Sequence, residues 1–439
     1  MSTTTLRAEA PLTLDGTAPQ ELGLRETVGL WANLGISLLL PVAASFVVLA
    51  GRPLGVTLLA VVVGAVLGAL LLGLTAAPAA RERVPAMVLL RGLLGHRASW
   101  LPTGLNVLQC LGWATFEIVV IAEAASRALD APRWPFVLAA GVLATAMALR
   151  PLGVVRVLSR YAVWAALAAV AYLFVRVLSE PLPQVQEGGA GSFWSAVDIV
   201  IALPVSWFPL AADYTRHVRD PRTAFVGTSV GYGLATVAMF TLGVLALSAY
   251  GSVGLDVVDA LLAVPFGLVA VLVLVAVEVD EAFANIYSSA VSTQNAAPRL
   301  DRRVLAVVVG AAATGLALTL DVVSYEPFLF LLGAVFVPLA GILVVAYYLL
   351  PRGAWDTSED APARPALLLP WLAGFVAYQL TVPTTFTGPG AGWTAWWAER
   401  QADLGLPAAS GLSASLVSLT VACLLTVAVA LPGALRAAR

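Results

Sequence analysis

Two stretches of this sequence place acidic, amide and aromatic side chains where a membrane-spanning helix would bury them. The first is VLVLVAVEVDEAFANIYSSAVSTQN, Val271 to Asn295, in which an apolar run leads into Glu278, Asp280 and Glu281. At about 100° per residue, Glu278, Glu281, Asn285, Ser289 and Ser292 share one helical face, with Ser288 at its edge. Asp280 and Tyr287 project to the opposite side, so Asp280 is expected to meet a partner on another helix. An ionisable side chain at the bilayer centre costs at least ~2.5 kcal/mol, and such residues usually face a cavity and serve a task there. A carboxylate on this face can bind Na+ together with backbone carbonyls, or take up a proton. The structural alternative is a carboxyl group kept neutral, or bonded between helices, for packing alone.

The second stretch is LNVLQCLGWATFEIVVIAEAASR, where Gln109, Trp113, Glu117 and Val120 recur at helical spacing. An indole then sits one turn from an amide and one turn from a carboxylate. A flat heterocycle could stack on Trp113 while Glu117 accepts from its ring N–H or amino group. A carboxylate only accepts, so it selects donors or a protonated ring. Ordinary packing of Trp113 and interhelical bonding by Gln109 are the alternatives. Glu123 and Arg127, four residues apart, read as an exposed pair, and His96 and His217 as solvated or capping loop residues.

The elements that must position these groups follow from composition. The chain has 439 residues, is 60% hydrophobic and 11% charged, and has a mean hydropathy of +0.91. Several runs exceed the roughly 18–20 apolar residues needed to span a hydrocarbon core, and without water the backbone there must be helical. The expectation is an all-α membrane protein of about twelve helices, near 28–50, 54–78, 100–127, 134–150, 157–178, 194–214, 223–250, 264–296, 303–320, 326–350, 366–385 and 409–434. All 24 basic residues are arginine, a usage that fits a GC-rich bacterial genome. With both termini cytoplasmic, only Arg52, Arg127, Arg133, Arg176 and Arg400 fall outside, which satisfies the positive-inside rule for a multi-pass cytoplasmic-membrane protein. Residues 1–25 read as a polar cytoplasmic tail without a signal-peptide pattern, 26–350 as a ten-helix core, and 351–439 as a loop and two further helices. Within the last part, RGAWDTSEDAPARP and TGPGAGWTAWWAERQADLG read as loops.

Two spans carry breakers at mid-membrane. LWANLGISLLLPVAASFVV contains Pro41, and IVIALPVSWFPLAADY contains Pro204 and Pro209. Proline withholds the bond to the carbonyl four residues earlier, so Ser37, Val200 and Val205 are expected to have freed carbonyls. Lipid cannot satisfy these, so the irregular backbone should line an internal cavity. Two broken helices five spans apart match an inverted repeat of spans 1–5 and 6–10, with the binding site where the breaks meet. A packed proline kink is the plainer alternative for either span alone.

Three stretches in order, NVLQCLGW, ALPVSWFPLAADYTRH and ANIYSSAVS, resemble the nucleobase–cation symporter family over roughly Leu24 to Leu350. That family comprises cytosine and purine permeases and transporters of hydantoins, allantoin and hydroxymethylpyrimidine. The middle stretch looks closest to the branch for hydroxymethylpyrimidine, a thiamine precursor. The resemblance implies a five-plus-five inverted repeat with broken helices 1 and 6 and two extra C-terminal helices. It implies that substrate stacks on Trp113, that Gln109 or the residue at the position of Glu117 binds the ring, and that Ser206, Trp207 and Asn285 complete the shell. The family's sodium site would use carbonyls near Ser37 and Leu40 and a hydroxyl pair. This chain carries Asp280 and Glu281 at that pair, which raises the prospect of protons. The coupling-ion candidates are therefore Ser37, Leu40, Glu278, Asp280 and Glu281, for Na+ or H+.

These readings converge on a cation-coupled carrier of a nucleobase or a related planar heterocycle, acting as a monomer in the bilayer without a cofactor. An amino-acid carrier of the same architecture is the rival within transport, although Glu117 would repel an anionic substrate. An intramembrane enzyme would need paired aspartate-rich loops or HExxH, which this sequence lacks, and a channel would not need two breaks in register. No basic tract points to nucleic acid, and Cys110 and Cys423 form neither a disulfide framework nor a metal motif. Asp213 is expected to pair with a loop arginine.

Overall fold

The computed structural model describes residues 9–186, 188–251, 256–320, 326–350, 354–407 and 411–437. It is helical: among the described residues the only β pairing is an isolated bridge between Leu22 and Val218. In chain order the helices are α1 Leu24–Leu34, α2 Leu39–Val42, α3 Ala44–Val47, α4 Leu54–Glu82, α5 Ala86–Leu89, α6 Arg91–Leu94 and α7 Trp100–Leu129. Then come α8 Arg133–Ala148, α9 Pro151–Val157, α10 Val163–Leu178, α11 Phe193–Ser206, α12 Phe208–Thr215 and α13 Pro221–Tyr250. The chain ends with α14 Asp256–Ala263, α15 Gly267–Thr293, α16 Arg302–Thr319, α17 Glu326–Val344, α18 Leu368–Thr381, α19 Ala391–Asp403 and α20 Ala414–Ala437. Each of the twelve expected stretches carries one or more of these helices. Among the described residues seven helical stretches, two of them joining α9 with α10 and α11 with α12, are long and apolar enough to cross a membrane. The 27-residue α15 is not among them, because every membrane-length window of it contains Glu278, Asp280 and Glu281.

Both expected breaks are present, with their details shifted. Gly35 ends α1 by donating to Trp31 O at 3.1 Å and Ala32 O at 3.3 Å, and the chain is irregular until Leu39. The break therefore precedes Pro41, which sits in the first turn of α2 where a helix needs no N–H. The carbonyl of Ser37, expected to be free, accepts from Leu40 N–H at 3.4 Å. In the other broken span, α11 runs through Pro204 and stops at Ser206, and Pro209 lies in the first turn of α12. The N–H of Trp207 donates to the Pro204 carbonyl at 3.2 Å.

The helices assemble as two groups with a third layer. One group packs α1, α4, α11, α12 and α13 together, the other α7, α8, α15 and α16, while α17, α18 and α20 pack on each other and α17 packs on α11. Close approach of α4 and α11 depends on Gly64 and Gly68. A Cβ at Gly64 would lie 2.7 Å from the Val197 carbonyl and from Val200, and one at Gly68 would lie 2.9 Å from Pro204. Without a hydrophobic driving force between helices in lipid, such small-residue stripes supply the packing.

The polar segments outside these layers are docked more firmly than their composition suggests. Residues 1–8 of the expected tail lie outside the described residues, but the segment after them straps across one end of both helix groups. Gln20 Nε2 donates to Ala80 O and Val218 O, while Gln294 Nε2 and Arg302 N–H both donate to Leu12 O. The stretch around Trp355 is bonded in turn to α5 and α6, with Trp355 Nε1 donating to Leu89 O at 2.9 Å and Arg364 N–H to Leu94 O at 2.8 Å. The boundary expected at 350/351 abuts residues 351–353, which lie outside the described residues. The Trp-rich stretch read as a loop forms α19. Glu123 pairs with Arg133 at 3.1 Å, and Arg127 pairs with Asp256 and Asp259 of α14 instead.

Candidate functional site

The two breaks meet α7, α13 and α15 around one buried chamber. Ser37, Leu39 and Leu40 come from the first break, and Leu203, Ser206, Trp207 and Leu210 from the second. Trp113 and Glu117 project from α7, Tyr232 from α13, and Glu281 and Asn285 from α15. The open space is about 10 Å³, room for roughly one water. Any larger occupant requires the walls to part.

The carboxylates around this chamber divide by what they accept. Glu278 accepts from Ser37 Oγ at 2.7 Å and from Leu38 N–H at 2.8 Å, so it caps the start of α2. Asp280, on the opposite face as its register requires, accepts from Asn33 Nδ2 of α1. Glu117 is buried with no donor on either oxygen, and Oε1 of Glu281 also has none. The charged neighbours of Glu117 are Glu281 and Glu278, and no ion pair to any of these four carboxylates occurs among the described residues. Buried like charges at this proximity persist only if protons or a cation neutralise them.

Most sequence-predicted residues are brought together here: Trp113, Glu117, Ser206, Trp207, Asn285, Ser37, Leu40 and Glu281 all line the chamber. Gln109 does not. Its Nε2 donates to Ser206 O at 2.8 Å and Asn106 Oδ1 at 3.1 Å, which ties α7 to the second break just beneath the chamber. Asn106 Nδ2 extends that seam by donating to Pro209 O at 3.1 Å and Ser292 Oγ at 2.8 Å, and Tyr214 OH donates to Ala284 O at 2.9 Å. The polar stripe below Asn285 therefore faces a closed seam between the two helix groups. Asp213 joins no loop arginine in an ion pair among the described residues; its Oδ1 accepts from Ala86 N–H at 2.9 Å. His217 is buried rather than solvated.

Three contributors escape the sequence reading. Tyr232 lines the wall, with its ring 6.0 Å from that of Trp207. Phe328 of α17 packs edge-on against Trp113 at 5.3 Å. Asn33 is the donor to Asp280. Asn33 was detectable as the amide in an otherwise apolar first span, but nothing local marks the other two.

As for the ion candidates, Ser37 and Leu38 turn donors, not lone pairs, toward Glu278, so that carboxylate is already engaged. Glu281 keeps an oxygen without a donor beside Leu40 and is the better placed of the set. Among the described residues no group of three His, Cys, Asp or Glu side chains could hold a metal ion.

With this geometry in place, likeness to known proteins is informative. Solved structures share the fold across nearly the whole chain. Mhp1, described as a nucleobase-cation-symport-1 family transporter in a closed conformation with bromovinylhydantoin bound, is 18% identical with a TM-score of 0.73, covering 98% of this chain and 95% of that one. Inward-facing Mhp1 is 17% identical with a TM-score of 0.71, covering 98% and 94%. A Na+-coupled sialic acid symporter is 10% identical with a TM-score of 0.66, covering 96% and 92%. No curated protein sequence matches. The family model for permeases of cytosine/purines, uracil, thiamine and allantoin matches residues 22–363. The chain belongs to that family, and is a multi-pass membrane transporter.

Proposed function

We propose that this permease takes up a planar nitrogen heterocycle together with a cation, Na+ or H+, by alternating access. Candidate substrates are a nucleobase such as cytosine, a purine, or hydroxymethylpyrimidine. The observation that carries the reading is the pairing of two indoles, Trp113 and Trp207, with Glu117, which has no donor on either oxygen, and Glu281, which has none on Oε1, where two broken helices meet. Flat rings recruit aromatic walls, and uncompensated buried carboxylates recruit a positive charge. Trp113 supplies the stacking surface, Glu117 and Asn285 bond the ring edge, and Glu281 carries the coupling charge near Leu40. The same pair of carboxylates disfavours an amino-acid substrate, whose carboxylate would meet like charge.

Transport then follows from which contacts cross the seam. Parting the second broken span, α11 and α12, from α7 and α15 requires breaking the Gln109–Ser206, Asn106–Pro209 and Tyr214–Ala284 bonds. Neutralising Glu281 and Glu117 together removes the cost of closing the walls over them. In this reading the docked strap lies at the cytoplasmic face of the cell membrane with both termini inside, which the arginine distribution supports, and the working unit is a monomer. Proteoliposomes loaded to impose a Na+ or a proton gradient test the proposal with radiolabelled cytosine, hypoxanthine and hydroxymethylpyrimidine. Saturable accumulation driven by one of the two gradients is expected. If no planar heterocycle accumulates under either gradient, the proposal fails.

A further inference from the structure

The chamber's hydrogen-bonding census specifies the edge its ligand must present. Five lining side chains are polar without being aromatic: Ser37, Glu117, Ser206, Glu281 and Asn285. The two serine hydroxyls and one of the two N–H groups of Asn285 are committed within the protein. Ser37 Oγ donates to Glu278 Oε1 at 2.7 Å, Ser206 Oγ to Leu203 O at 2.7 Å, and Asn285 Nδ2 to Glu281 O at 3.0 Å. The two carboxylates hold oxygens that no protein donor reaches. Apart from the second N–H of Asn285, what the polar floor of the chamber offers is carboxylate acceptors.

We infer that the ligand is an amino-heterocycle, read through an exocyclic amino group beside a ring N–H or protonated ring nitrogen, and that Glu117 makes this selection. The inference rests on the heterocycle reading above and narrows it. A fork of two N–H donors matches the two oxygens of a carboxylate, as a guanidinium does. An oxo group in place of the amino group would set a lone pair against Glu117, leaving both buried groups unpaired, and a site built to accept discriminates strongly against such an isostere. The second carboxylate deepens the demand for positive charge, because Glu117 and Glu281 face each other with no cationic side chain paired to either among the described residues.

Matched ligand pairs test this on the purified full-length protein: cytosine against uracil, and adenine against hypoxanthine, by equilibrium binding. The amino member is expected to bind at least tenfold more tightly in the wild type. Glu117→Gln, which supplies a donor in the same shape, is expected to shrink that preference at least fivefold by weakening the amino member and admitting the oxo one. Equal or tighter binding of the oxo members by the wild type overturns the inference while leaving heterocycle transport standing. So does an unchanged preference in a folded Glu117→Gln protein. Should that variant not fold, the wild-type pairs still decide. Failure of all four ligands to bind removes the heterocycle reading itself.

Discussion

Buried charge occurs in two regions of this molecule, and they are handled in opposite ways. At the strapped end, Arg302 donates to Ala148 O at 2.7 Å, at the last residue of α8, and to Pro11 O at 3.2 Å, with its guanidinium over the Tyr287 ring. Arg91 holds Asn295 through its side-chain and backbone oxygens at 2.7 and 2.9 Å, just beyond the end of α15. None of these cations needs a carboxylate, because helix C-termini present carbonyls that the helix itself leaves unused. Buried acids elsewhere use the complementary ends. Asp198 accepts from Ala414 N–H at 2.7 Å and Ser415 N–H at 3.1 Å at the start of α20, and Asp213 and Glu278 likewise accept from the amides of Ala86 and Leu38. Helix ends thus account for most of these buried charges; Asp280 is met instead by the Asn33 amide and Arg216 by His217 and Tyr287, and the charges left over are Glu117 and Glu281. The comparison separates charges that build the protein from charges that operate it.

The largest effect should follow from the operating class. Glu281→Gln keeps shape and removes the charge, so accumulation against a gradient is expected to fall at least tenfold, ~1.4 kcal/mol or more in driving coupling. Exchange of labelled for unlabelled substrate without a gradient should persist. Gradient-driven accumulation at the wild-type level would return Glu281 to the structural class.

Asp280 belongs with the building charges, although it lies between the two residues that flank the chamber in sequence. Asn33→Ala removes its donor and leaves a bare buried carboxylate, at an expected cost of about 3 kcal/mol. Asp280→Asn removes the charge itself and should cost less. Thermal unfolding of the two variants decides: a larger loss for Asp280→Asn would mean that the charge does more than accept one bond.

This division was only half legible in the sequence. A proline or a carboxylate inside an apolar run is conspicuous, so both broken helices and the α15 stripe can be read directly, and helical phase turns Asp280 away from the stripe that holds Glu281. What phase cannot supply is the partner across the fold. Nothing near Glu278 announces that it caps a half-helix 240 residues away. The same limit hides Tyr232 and Phe328, ordinary aromatics in apolar helices. It also exaggerates Gln109, whose spacing suits a ligand but whose amide holds Ser206. The strap and α19 escaped for another reason: polar, proline- and glycine-bearing stretches look like free loops until their backbone bonds are counted.

At the strapped end, His217 gives a pH effect of intermediate size. Its Nδ1–H donates to Pro19 O at 2.9 Å while its Nε2 accepts from Arg216 Nε at 3.3 Å, an arrangement open only to the neutral ring. Burial, and after it the neighbouring Arg216, hold its pKa down to about 3 from an ordinary 6.5. Because the folded value lies below the unfolded one, this stability is complete above about pH 6.5 and is lost as pH falls toward 3. Between pH 7 and pH 5 the loss should be about 2 kcal/mol. Melting curves of His217→Gln should lack this component, whereas the pH dependence of uptake, set in the chamber, should stay. If one substitution flattens both profiles, the two regions are coupled and the separation drawn here is wrong.

The smallest effect is expected where charges are exposed. Arg127 pairs with Asp256 and Asp259, and these are the only ionic contacts of α14 among the described residues. The three side chains are 30%, 68% and 52% exposed, so solvent and salt screen the attraction. What holds α14 against the bundle is burial of Val257, Val258 and Leu261. Arg127→Gln should therefore cost under about 1 kcal/mol, and that loss should vanish in high salt. Leu261→Ala should cost ~2–5 kcal/mol regardless of salt, because it removes buried apolar surface and leaves a cavity. The reverse order would mean that α14 is latched by charge, and that the far end of the molecule follows the rule found for the chamber instead of the rule found for the strap.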